Sequence, residues 1–104
     1  MPETALPPLG FQNACFHAGR NTSVRRGTRW HGVPAATVCL PGGHTCALAL
    51  ATQLRVFAAL TAADLADEHD PRCRTPAGLL AVLQQIYPGF CPEETVTLVH
   101  FWLP

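Results

Sequence analysis

The sequence contains no lysine. All seven of its basic residues are arginine, and seven acids balance them to a formal net charge of zero. The missing amine excludes Schiff-base chemistry, a phosphate-gripping Walker lysine and a lysine general base. The missing net charge argues against a protein that coats nucleic acid by bulk electrostatics. A GC-rich coding sequence would give the same alanine- and arginine-rich composition with no functional demand behind it.

The five cysteines (Cys15, Cys39, Cys46, Cys73 and Cys91) include no CxxC pair. Residues 1–8 have neither a basic n-region nor an apolar h-region. Reduced cysteines and a cytoplasmic location are therefore expected. No apolar run reaches the roughly 18 residues of a membrane helix. The longest, Cys46–Ala63, is broken by Gln53 and Arg55. Neither a membrane nor an obligate protein partner is expected, and nothing asks for a cofactor. Cys39, His44 and Cys46, with His31 upstream, offer zinc-compatible atoms. Their Cys-x4-His-x-Cys spacing is not that of a finger or ribbon, so no metal is expected.

What is present is one domain's worth of chain. Its 104 residues are 48% hydrophobic and 13% charged, which suits one compact core and argues against disorder. Residues 1–9, with Pro2, Pro7 and Pro8, read as a loose arm, and 10–104 as a single domain. Phe11–Ala18 is expected to form a short helix ended by Gly19. Asn21–Arg29 reads as a polar, arginine-rich segment. Val33–Leu40 reads as a strand, Pro41–His44 as a turn, and Ala47–Val56 as a strand pairing back on Val33–Leu40. Thr61 and Asp64 suggest a capping box for a short helix to about His69. Thr75-Pro76 starts another helix, with Leu79, Leu80, Leu83 and Ile86 as its buried stripe and Tyr87-Pro88-Gly89 as its stop. Thr95–Trp102 is β-branched and aromatic, a final strand in which Phe101 and Trp102 serve core or edge packing. The order predicts an α+β domain whose sheet curls into a partly open β-barrel with short flanking helices.

Two segments carry a family resemblance. Ala18-Gly19-Arg20-Asn21-Thr22-Ser23-Val24-Arg25-Arg26-Gly27 is similar to an early Ala-Gly-(Arg/Lys)-Lys-Thr-x-Thr-x-Arg pattern. Ile86-Tyr87-Pro88-Gly89 before the last strand is similar to a later Ile-Tyr-Pro-Gly turn. Together with Val56–Thr61 between them, these resemble the ASCH domain family, a branch of the PUA-like β-barrels. The small bacterial members that act as N4-acetylcytidine amidohydrolases are the nearest in pattern. The resemblance covers about residues 10–103.

It implies a cleft that takes RNA or a modified nucleoside, and a catalytic lysine, threonine and glutamate. Without a gap, Asn21 falls at the lysine position, Val24 at the threonine and Arg26 at the arginine. With one residue deleted, Ser23 supplies the hydroxyl and Arg25 the arginine. Neither register restores an amine base, and arginine stays protonated. Glu68, in the run Asp67-Glu68-His69-Asp70, matches the glutamate best, and Glu68 or His69 can serve a water as general base.

The candidate catalytic residues are thus Ser23, Glu68 and Asn21. The candidate ligand contacts are Arg20, Thr22, Arg25, Arg26 and Tyr87. Arg20, Arg25, Arg26 and Arg29, beside Trp30 and His31, suit phosphate and base contacts. They also suit intramolecular pairing with the acids of 64–70. Three functions follow: binding of RNA or a nucleoside, a lysine-free amidohydrolase, and a non-catalytic protein-interaction module.

Overall fold

A residue run that is buried on both faces belongs in the middle of a layered structure. Thr95–Leu103 is such a run, buried without a break from Val96 to Phe101. A computed structural model of the chain describes residues 6–11, 15–40 and 42–104. Its strands are β1 (Pro8–Leu9), β2 (Gly19–Arg26), β3 (Ala35–Cys39), β4 (Thr45–Ala49), β5 (Ala51–Val56) and β6 (Thr95–Leu103). One α-helix, α1 (Pro76–Ile86), and 3-10 turns at Phe57–Ala59 and Pro71–Cys73 complete it.

The strands form two three-stranded sheets, ordered β1-β3-β4 and β2-β6-β5. Side chains alternate along a strand, so β6 serves two cores. Val96 and Leu98 enter one with Val24, Phe57, Leu65, Leu79, Leu83 and Phe90. Val99 and Phe101 enter the other with Leu9, Trp30, Ala36 and Val38. The result is three layers: α1 and its loops, the β2-β6-β5 sheet, and the β1-β3-β4 sheet. The mixed α+β composition is as expected from sequence. Among the described residues the two sheets share no ladder, and no closed barrel forms.

The strand expected over Ala47–Val56 is two strands. β4 pairs antiparallel with β3, Ala35 opposite Ala49 and Cys39 opposite Thr45. β5 pairs with β6 in the other sheet, Ala51 opposite His100 and Val56 opposite Thr95. Only Leu50 separates them, held by its N–H on Pro34 O at 2.9 Å. Even spacing of leucines reads as one strand, but a change of sheet at Leu50 leaves that spacing unaltered.

Pro41 and residues 12–14 lie outside the described residues, so the expected Pro41–His44 turn and Phe11–Ala18 helix are described only in part. Gly42 and Gly43 carry φ of 88° and 84°, a left-handed conformation that favours glycine. Phe11 and 15–17 are irregular. Of the arm expected over 1–9, Pro8–Leu9 pairs in parallel with β3 and Leu9 is fully buried. Residues 1–5 lie outside the described residues.

The segment after Thr61 is not a helix. The capping box forms: Thr61 N–H donates to Asp64 Oδ2 at 2.9 Å, and Asp64 N–H to Thr61 Oγ1 at 3.3 Å. Successive turns follow instead of α-helical bonds, because the far end is committed elsewhere. Thr22 N–H donates to Asp67 O at 2.8 Å and His69 N–H to Thr22 O at 3.0 Å. Glu68 thereby docks beside Thr22 as a one-residue parallel bridge on the outer edge of β2.

α1 starts as expected, with the Thr75 hydroxyl accepting from Gly78 N–H at 3.1 Å and Pro76 in the first turn. Leu79 and Leu83 are buried, and Leu80 and Val82 partly so. Ile86 departs from the expected buried stripe: it is 37% exposed, at the end of the helix. Gly78 lies so close to the Pro71–Cys73 turn that a Cβ there would collide with Arg72 O. No described helix is long and apolar enough to cross a membrane.

Candidate functional site

A cleft of about 310 Å³ opens between β2, the 68–73 segment and the end of α1. It is lined by Ser23 and Arg25 from β2, Glu68 to Asp70 from the docked segment, and Val82, Ile86 and Tyr87 from the helix end. Gly10, Phe11, Arg72 and Cys73 complete the wall.

Glu68 is 2% exposed. Its Oε1 accepts from Asp70 N–H at 3.1 Å and lies 3.1 Å from His69 Nε2. Its Oε2 accepts from Val24 N–H at 3.3 Å. Burial dominates and pushes the carboxyl up to about 7, and neighbouring Asp70 adds to this. The two amide hydrogen bonds and Arg25 pull the other way. A carboxyl with that midpoint both takes and returns a proton near neutrality.

Burial and Arg25 push His69 down to about 4. With the imidazole neutral, the 3.1 Å approach of Nε2 to Glu68 Oε1 is not an ion pair at neutral pH. His69 Nδ1 is buried with no hydrogen-bond partner among the described residues, beside Phe11 at 4.7 Å and Phe16 at 5.9 Å between ring centroids. An imidazole tilted into aromatic rings with no acceptor for a second N–H resists protonation.

Arg25 crosses the cleft from the same strand face as Ser23. Its Nε donates to Ser23 Oγ at 2.8 Å and its Nη2 to Gly10 O at 2.6 Å. The guanidinium sits 5.0 Å from the Phe11 ring centroid. Burial lowers its pKa, while Glu68 and Tyr87 raise it. Cys73 is a poor nucleophile here, since burial and the nearby acids push its thiol up to about 12.

Of the residues singled out from sequence, the cleft brings together Ser23, Arg25, Glu68 and Tyr87. The others turn elsewhere. Asn21 is fully buried, donating to His17 O at 2.7 Å and Gly19 O at 3.2 Å while accepting from His17 N–H at 3.2 Å. Thr22 meets His100: the hydroxyl lies 2.9 Å from Nδ1, and His100 Nε2 lies 3.1 Å from Gln53 Oε1. With Gln53 accepting from Nε2–H, Nδ1 accepts from the Thr22 hydroxyl. Arg20 pairs with Asp67 at 2.8 Å. Arg26 pairs with Glu94 through two bonds of 2.7 and 3.1 Å and lies over Tyr87 at 5.2 Å. The pairing of arginines with the 64–70 acids is realised by Arg20 alone in the 20–29 segment among the described residues.

His69, Arg72 and Phe11 were not among the ligand contacts expected from sequence. Sequence offers His69 as an alternative base, and its place beside Glu68 depends on the bridge to Thr22. Phe11 enters the cleft through its neighbour Gly10 and Arg25, a contact no local pattern announces. Among the described residues no group of three or more His, Cys, Asp or Glu side chains is arranged to hold a metal ion. Comparison with protein-family models, with characterised proteins and with solved structures finds no match to this chain.

Proposed function

We propose that this cleft hydrolyses the N-acyl group of an acylated nucleobase, of the N4-acetylcytidine kind. The observation that carries the proposal is Glu68: a buried carboxyl poised near neutrality, opposite a fixed arginine, in a cleft at the small end of the roughly 300–1,000 Å³ range of ligand sites.

Glu68 in its ionised form takes a proton from a water, and the water oxygen bonds to the acyl carbon. Arg25, held by Ser23 and Gly10, faces the oxygen on which negative charge develops. Glu68 then returns its proton to the nitrogen as the C–N bond breaks. The free amine and a carboxylic acid leave, and the acid ionises in solvent. No lysine is needed, because a single carboxyl is both base and acid. Ser23 acts here by orienting Arg25. Val82, Ile86 and Tyr87 supply the apolar and aromatic wall for the base and acyl group.

The ASCH resemblance belongs to this proposal. The direct passage of β4 into β5 at Leu50 is the kind of corner that a partly open barrel requires. A second reading, binding of RNA or a modified nucleoside without turnover, is favoured by Arg25 and Tyr87 lining one cleft. Extended RNA is disfavoured by the commitment of Arg20 and Arg26 to carboxylates. Loss of the N4-acetylcytidine absorbance band tests the proposal. Wild type is expected to consume the substrate and Glu68→Gln to be slower by at least about 100-fold. Saturable binding of the nucleoside without turnover would select the second reading.

A further inference from the structure

Two arginines line the cleft, and they differ in one respect. Arg72 is engaged by Asp70, with Nη2 2.8 Å from Oδ2. Arg25 makes no ion pair among the described residues. Its direct contacts are a hydroxyl, a carbonyl and an aromatic ring, all neutral, and Glu68 acts on it from beyond ion-pair distance. Its Nη1 carries no hydrogen bond among the described residues. A partly desolvated cation whose direct contacts are all neutral is poorly compensated while Glu68 is protonated, and an anion in the cleft removes that deficit.

The rest of the cleft says which anion fits. The same cleft holds the Glu68 carboxyl, whose two oxygens already accept from Val24 and Asp70 and whose Oε1 lies 3.1 Å from His69 Nε2. In its neutral form it donates one hydrogen bond to an acceptor in the cleft. Asp70, paired with Arg72, and Cys73 and Tyr87 also line it, and its apolar wall is Val82, Ile86 and Phe11. A guanidinium and a carboxylic acid lining one cleft suit the two oxygens of one carboxylate, and the apolar wall suits a short alkyl chain.

We infer that the cleft is a proton-linked receptor for small aliphatic carboxylates, the head held by Arg25 and neutral Glu68 and the chain against Val82, Ile86 and Phe11. This rests on the proposed hydrolysis, whose acid product leaves its carboxylate at the place where the oxyanion formed. The consequence is product retention on the acid side of neutrality and release on the alkaline side.

Glu68 is faced by Arg25 from β2, by His69 and Asp70 on its own segment, by Cys73 from the 3-10 turn, with Arg72 on Asp70, and by Tyr87 after α1. His69 and Cys73 stay neutral between pH 6 and 8, with midpoints of about 4 and about 12. Glu68, with its midpoint of about 7, changes charge inside that window. The carboxylate is bound while Glu68 is neutral and repelled once Glu68 ionises, so affinity falls as pH rises.

The test is a titration of the full chain with acetate and with butyrate, followed by amide and arginine NMR shifts at constant ionic strength, with chloride as control. Saturable binding at pH 6, about tenfold weaker at pH 8, is expected. Arg25→Gln is expected to lose it at both pH values, and Glu68→Gln to bind with no difference between them. No saturable shift at pH 6, equal wild-type affinity at the two pH values, or chloride binding as well as acetate would overturn the inference. Proton-linked binding without any turnover would sink the hydrolase alone. Turnover without carboxylate binding would sink the receptor alone.

Discussion

Glu68 and His69 are displaced in opposite directions, and a pair of substitutions separates the two effects on stability. Folding raises Glu68 from an ordinary 4.5 to about 7. Its contribution is present below pH 4.5 and lost as pH rises through 7. Folding lowers His69 from an ordinary 6.5 to about 4. Its contribution is present above pH 6.5 and lost as pH falls through 4. Between 4.5 and 6.5 the folded chain carries one proton on Glu68, while the unfolded chain carries one on His69. The numbers are equal, so the pair gives almost no pH dependence there.

Each displacement alone is worth about 3 kcal/mol for groups this buried. His69→Gln removes the rising contribution, and the variant is expected to lose about 3 kcal/mol relative to wild type between pH 4 and 6.5. Glu68→Gln removes the falling one, and that variant is expected to gain about 3 kcal/mol relative to wild type between pH 4.5 and 7. Urea unfolding, followed by the fluorescence of Trp30 and Trp102 in steps of pH, reads both. Differences that do not vary with pH, or that vary with the opposite signs, would refute the reasoning.

Other expectations concern the frame around the cleft. Leu79→Ala empties a position that is 2% exposed and should cost about 2–5 kcal/mol in denaturant unfolding. Gly78→Ala improves helix propensity, yet its Cβ meets Arg72 O, so a net loss of about 1–3 kcal/mol is expected, along with displaced backbone shifts in 71–73. Arg20→Gln breaks an exposed pair and should change stability by at most about 1 kcal/mol. If the cleft takes a small nucleoside, Arg20→Gln also leaves acetylcytidine turnover within about twofold, read by the absorbance assay.

Patterns local to one element were legible in the sequence. β6 reads as a strand because its β-branched and aromatic run is dense, and α1 because Thr75-Pro76 starts it and Tyr87-Pro88-Gly89 stops it. β2 reads from sequence only as a polar segment. Its Asn21, Thr22 and Ser23 are buried, but each is buried by meeting a polar partner rather than by being apolar. Periodicity of hydrophobic residues is blind to that kind of burial. Once β2 is a strand, alternation places Ser23 and Arg25 on one face and Arg20, Thr22, Val24 and Arg26 on the other. Sequence spacing alone had left Arg25 and Arg26 interchangeable. Glu68 was legible as an acid of the right type. The bridge from Thr22 to Glu68 that brings His69 and Arg25 to it joins residues 46 positions apart, a pairing no local signal encodes.

The most direct measurement is a ¹³C-carboxyl NMR titration that follows Glu68 itself, assigned by its disappearance in Glu68→Gln. A midpoint near 7 is expected, with neighbouring His69 neutral throughout the titration. A midpoint in the ordinary glutamate range near 4.5 would contradict the account, because so weak a base carries a proton poorly from water to the leaving nitrogen, and a carboxyl fully ionised at neutral pH repels a carboxylate beside Arg25.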